Sequence, residues 1–238
     1  MAFSVKQLRS LTNPRRLTGQ RLPRRLVQLY LGLILFGVSM ALLVESTLGL
    51  DPWDVLHQGL SRKTGLRFGW IVIGVSILVL LAWIPLRQKP GFGTLSNAVV
   101  VGLAVDGGLA VLPTAQQLWL RIGFMVAGIV LNGVATGLYI GARLGPGPRD
   151  GLMTGLAARG HSIRVVRTAI EVSVLVAGFL LGGTVGIGTL LYALTIGPLA
   201  HISIPFFTVR EPAAKPDTAP AGECDPVIGA QCAVDSAT

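Results

Sequence analysis

The segment L-G-L-D-P-W-D-V-L-H-Q-G-L at 48–60 recurs 96 positions later as L-G-P-G-P-R-D-G-L-M-T-G-L at 144–156. Leu48, Gly49, Pro52, Asp54, Leu56, Gly59 and Leu60 are answered by Leu144, Gly145, Pro148, Asp150, Leu152, Gly155 and Leu156. Extended upstream at the same offset, 12 of the 29 positions from Gly32 to Leu60 are identical in Gly128 to Leu156. Composition alone accounts for about three or four such matches. At an offset of 95 a second block appears: Gly91, Gly93, Thr94, Leu95, Ala98 and Gly102 match Gly186, Gly188, Thr189, Leu190, Ala193 and Gly197. The chain reads as two halves related by duplication.

Those halves are made for lipid. Only 13% of the 238 residues are charged and 51% are hydrophobic, with a mean hydropathy of +0.66; a soluble domain carries about 25% charged residues. Six apolar runs approach the roughly twenty residues that cross a bilayer: Leu26 to Leu48, Phe68 to Leu86, Thr94 to Leu112, Leu118 to Ala142, Ile163 to Leu181 and Gly188 to Phe207. None alternates with the period of two that barrel strands need, and backbone groups in lipid must be satisfied within the segment, so each run is expected to be helical. The predicted fold class is all-α and polytopic.

The expected organisation is a basic segment (1–25), a first membrane repeat (26–112), a second (118–207) and a disordered tail (210–238). Each repeat holds a long helix, a G-x-x-P-x-D element, a second helix, a G-x-G-T-L turn and a third helix. Three spans is an odd number, so the second copy would insert upside down, as in many secondary transporters. With the N-terminus inside, 16 of the 20 Lys and Arg fall on the cytoplasmic side. An eight-span alternative, in which the P-x-D segments also cross, gives the same charge split. Length favours six: Pro52 to Gly65 would reach only about 21 Å as a helix and contains Asp54, His57, Gln58, Arg62 and Lys63. The segments 52–65 and 148–160 are therefore expected to be short re-entrant or interfacial helices.

Lys6, Arg9, Arg15, Arg16, Arg21, Arg24 and Arg25 precede the first span without an acidic residue. They read as the cytoplasmic flank of a retained anchor rather than as a nucleic-acid patch or a cleavable leader. Both termini are then cytoplasmic. Cys224 and Cys232 fall in the tail and match no zinc or redox spacing.

Asp51 followed by Pro52 is a helix start, an N-cap acceptor with proline at the first position. The identical acids Asp54 and Asp150 then become symmetric candidates for a central polar site, with Arg149 at its border. Against this stands a plain interfacial helix with Asp54 in its first turn. Asp106 and His201 occupy matching positions in the third and sixth spans, and ionisable groups inside spans are site candidates by default; the competing reading gives each a local partner or water. Arg167 and Glu171, four apart, are expected to pair. Gly133, Gly137, Gly141 and Gly145 form G-x-x-x-G steps for helix packing, with a homodimer interface as the lesser alternative. Trp70 and Trp83, at the two ends of the second span, read as interfacial belt residues.

The motifs 48–61, I-P-L-R-Q-K-P-G-F-G-T-L at 84–95 and G-L-Y-I-G-A-R-L-G-P-G-P-R-D-G-L-M-T-G-L at 137–156 resemble the YczE-like branch of the YczE/YyaS/YitT bacterial membrane proteins. The resemblance covers Leu26 to Phe207 and implies a bacterial inner-membrane protein; it supplies no catalytic residues. The sequence contains no P-loop, H-E-x-x-H or G-x-S-x-G, so no enzyme activity, metal or cofactor is expected. The functional expectation is a transporter or permease whose small-molecule substrate lies between the repeats near Asp54, Asp150, Arg149, Asp106 and His201. The alternative is an accessory protein that acts on a protein partner through its glycine faces and the basic loop from Arg143 to Arg167. A membrane enzyme has least support.

Overall fold

The computed structural model describes residues 22–160 and 162–208, and among these every regular element is helical. In chain order they are α1 (Leu22–Ser46), α2 (Pro52–Thr64), α3 (Phe68–Leu86), α4 (Phe92–Val111), α5 (Leu118–Gly141), α6 (Pro148–Ala157), α7 (Ile163–Leu180) and α8 (Ile187–Phe207). Most of the basic N-terminal segment, and the tail from Arg210 with both cysteines, lie outside the described residues.

All six apolar runs are helices, and both P-x-D segments form short helices of their own. Five of the described helices, rather than six, are long and apolar enough to cross a membrane: α1, α3, α4, α5 and α8. The fifth run differs because the 18 residues of α7 include Arg164, Arg167 and Glu171.

Helices α1 and α5 form the centre. Gly32 lies against Leu138 and Tyr139 while Gly128 lies against Leu43 and Ser39, so the two run antiparallel. Small residues let the next layer approach. Gly37 meets Ala104 and Ala41 meets Gly108 between α1 and α4; Gly133, Gly137 and Gly141 meet Leu199, Ser203 and Phe207 between α5 and α8. Three of the four glycines of the G-x-x-x-G run are thus used inside the chain, where close backbone approach supplies the packing that lipid cannot drive; Gly145, the fourth, lies beyond α5 in the turn before α6 and packs against Gly91 and Thr94 instead.

The halves interlock crosswise. Helix α2 packs on α7 and α6 on α3. The G-x-G-T turn of each half docks on the L-G turn of the other: the Gly188 N–H donates to the Leu48 carbonyl and the Gly93 N–H to the Leu144 carbonyl, both at 2.9 Å. The two threonines complete the docking in opposite senses. The Leu50 N–H donates to Thr189 Oγ1 at 3.2 Å; Pro146 has no N–H, so the Thr94 hydroxyl instead donates to its carbonyl at 2.7 Å. Gly49 and Gly145 take φ of +128° and +132°, a left-handed backbone that only glycine adopts readily. A Cβ at Gly145 would also come within 2.8 Å of Thr94 Oγ1.

Correspondence stops at the third and fourth helices of each half. A Cβ on Gly69 of α3 would come within 2.0 Å of the Gly102 carbonyl of α4, whereas one on Gly197, the match of Gly102 in α8, meets nothing within 4 Å. The residue matching Gly69 is Arg164. Its face of α7, with Val165, Thr168, Ala169, Val172 and Ser173, borders an open groove of about 620 Å³. Trp83 corrects the belt reading. Trp70 is exposed, but Trp83 is 2% exposed, because the ring lies against Gly151 and its Nε1–H donates to the Pro148 carbonyl at 3.0 Å.

Candidate functional site

Two proline-started helices begin close together. Asp51 caps α2, its Oδ1 accepting from the Asp54 N–H at 2.7 Å. Gly147 takes the equivalent position at α6 and offers no side chain, so only one of the two starts carries a capping acid. Arg149, the second residue of α6, spans the gap. Its Nη1 lies 3.5 Å from Asp51 Oδ2 and its Nη2 3.5 Å from Asp54 Oδ1. These separations are long for hydrogen bonds and act mainly as charge attraction.

The guanidinium carbon also lies 5.2 Å from the centre of the Trp53 ring, within cation–π range. At the 96-residue offset Trp53 and Arg149 are each other's match, so two corresponding residues meet face to face. Trp53 itself packs with Val79 and Trp83 of α3, and Ile170 and Val174 of α7 flank that cluster. Val79, Ile170 and Val174 stand in the interior of their helices, well away from either end.

His57, one turn along α2, places Nδ1 3.1 Å from Asp54 Oδ1, and Phe68 meets the imidazole edge-on at 6.0 Å. Asp51, Asp54 and His57 are buried, while Arg149 retains 21% exposure. The two carboxylates outnumber the one guanidinium. Asp150 accepts from the Tyr139 hydroxyl at 2.7 Å. Below it, between α1, α5 and α8, the Asn132 amide donates to Ser39 Oγ at 2.9 Å and accepts from the Tyr192 hydroxyl at 3.0 Å.

Of the residues singled out in the sequence, Asp54 and Arg149 meet, and Asp150 stands beside Arg149 on a separate bond. Asp106 does not join them: its Oδ1 accepts from the Gly69 N–H at 2.7 Å and ties α4 to the start of α3. His201 is exposed on α8. Arg167 and Glu171 pair at 2.8 Å. The structure adds His57 and Tyr139, and it turns Asp51 from a cap alone into a cap that also faces Arg149. No group of three or more His, Cys, Asp or Glu positioned to hold a metal ion occurs among the described residues.

A bundle whose helices are mostly apolar on the outside, closed by glycine contacts around a few buried charges, defines an integral membrane protein with several apolar helices. The chain belongs to a family of unknown function (DUF6198), whose model matches residues 23–205. It is 44% identical over 174 residues to an uncharacterised protein of Haemophilus influenzae, covering 73% of this chain and 80% of the relative. It is 33% identical over 189 residues to the uncharacterised membrane protein YczE of Bacillus subtilis, covering 78% and 88%. The uncharacterised protein YyaS of the same organism is 32% identical over 182 residues, covering 74% and 90%. No solved structure matches the chain.

Proposed function

We propose that the protein is a small-molecule transporter or permease of the bacterial inner membrane, built from two three-span repeats of opposite orientation with both termini cytoplasmic. In this reading α7 completes the six spans, its charges facing away from lipid, and α2 and α6 are re-entrant half-helices. The observation that carries it is the meeting of the two half-helix starts at Asp51, Asp54 and Arg149, against α3 from Val79 to Trp83 and against Ile170 and Val174 of α7. Discontinuous helices with charged groups at their ends are how secondary transporters build sites near the midplane. A charge buried at that depth is expensive unless it serves a pathway or a ligand.

The unequal halves support the same reading. A carrier that alternates access holds its repeats in different arrangements at any one time, and here α3 is closed on α4 while α7 stands off α8. For the partner-protein alternative, the glycine face of α5 is occupied by α8 within the chain, while Arg159, Arg164 and Arg167 of the basic stretch keep exposed side chains.

The test is a thermal-shift screen of the purified protein in detergent against metabolites and ions, followed by uptake of each hit into proteoliposomes. A ligand of the folded state raises Tm by mass action. Uptake with the parent and its loss with Asp54→Asn, at equal insertion, is the expected result. Hits that bind but are never taken up would sink the transporter reading.

A further inference from the structure

Three polar atoms of the cluster are buried without a partner: Asp54 Oδ2, His57 Nε2 and Trp53 Nε1. All three belong to one turn at the start of α2, and their residues are 0%, 1% and 6% exposed. Leaving such atoms unmatched costs about 1–3 kcal/mol each in a folded protein, so three within one turn leave hydrogen-bonding capacity that a ligand would meet. Their chemistry differs in a useful way. The carboxylate oxygen accepts. The Asp54 oxygen beside Nδ1 favours the proton on that nitrogen, which leaves Nε2 with a lone pair that also accepts. The indole N–H donates. The charge is incomplete as well, since Arg149 offsets only one of the two carboxylates of Asp51 and Asp54.

We propose that this turn of α2 binds a small protonated primary or secondary amine that also carries an oxygen acceptor. The ammonium N–H groups go to Asp54 Oδ2 and His57 Nε2, the oxygen accepts from Trp53 Nε1, and the ligand's single positive charge balances the second carboxylate. A bare alkali cation suits the place less, because it needs several oxygen ligands and one of the two acceptors here is an imidazole nitrogen. A quaternary ammonium brings charge without an N–H.

The inference rests on the transporter reading for its biological sense but is tested by binding alone. Ethanolamine, tetramethylammonium and sodium, all as chlorides at equal ionic strength, are titrated against the intact protein in detergent while Tm is followed. Ethanolamine is expected to raise Tm by about 5–10 °C at 100 times its Kd, with no such rise from the other two. The probe series needs no variant, so misfolding of a mutant cannot imitate the result. His57→Phe, which removes the imidazole acceptor, should weaken ethanolamine at least tenfold. No shift with ethanolamine, as when a proton or water fills the place, or an equal shift with tetramethylammonium or sodium, overturns the proposal. Ethanolamine binding without uptake of labelled ethanolamine into proteoliposomes supports this site and removes the transporter reading; uptake of another solute without ethanolamine binding does the reverse.

Discussion

Asn132 stands where the first half of the chain has Phe36, and its amide is 1% exposed. It survives there because both ends are matched, one by Ser39 and the other by the Tyr192 hydroxyl. Tyr192→Phe removes one partner and leaves the amide oxygen buried and empty. A loss of about 1–3 kcal/mol is expected, read as a lower Tm in detergent; an unchanged Tm would mean that the oxygen finds another donor. Arg149 is the second residue on which much depends. Arg149→Met leaves two carboxylates facing each other, and breaking a buried ion cluster costs about 3–5 kcal/mol, with the lower end appropriate to a side chain that keeps 21% exposure. Asp54→Asn in the same chain should recover some of that loss, a coupling that a double-mutant cycle measures. Simple additivity would show that the pair does not interact. Asp54 and Arg149 are legible in the sequence as charges in apolar surroundings, and Asp51 as a cap. His57 is not, because one polar residue on an amphipathic turn looks the same whether it faces water or a buried carboxylate.

At the level of the element, spacing is a good guide. The G-x-x-x-G register predicts a packing face on α5, and each of Gly133, Gly137 and Gly141 meets a residue of α8 four positions further along. A Cβ at Gly137 would lie 2.6 Å from Ser203 Cβ and 2.8 Å from its carbonyl. Gly137→Val must therefore push the backbones of α5 and α8 apart, and about 1–3 kcal/mol or more of stability should disappear, with Tm in detergent as the readout. Gly74, whose added Cβ meets nothing within 4 Å, is the matched control and should tolerate alanine. What spacing does not give is the choice of partner: a glycine stripe looks the same whether it faces a helix of its own chain or a second copy. Trp83 misleads for a related reason. Its position near a helix end suggests a headgroup anchor, but α6 folds back over that end and takes the indole for its own first carbonyl.

For the whole molecule, the duplication and the six helical runs are legible because they are written in identity and length. The crosswise exchange of short helices is not, since nothing in either copy says which third helix its short helix will choose. The orientation is open to a direct test. With Cys224 and Cys232 replaced by serine, a cysteine at Gln116, exposed between α4 and α5, should react with an impermeant maleimide in intact cells if the chain crosses six times. Protection until lysis would instead support eight crossings.

The contact between Trp53 and Arg149 bears on how such a protein can arise. If the two halves descend from a single-repeat ancestor that worked as a pair of identical chains, the residue at this position faced its own copy across the dimer axis. A tryptophan can stack on itself there, but an arginine would meet another arginine and be repelled. The present combination, one aromatic face beneath one guanidinium with the capping acid kept on a single side, requires two copies that are encoded separately and free to diverge. By this logic the pairing of Trp53 with Arg149 is younger than the fold that holds it, whereas the acid shared by Asp54 and Asp150 is as old as the repeat itself.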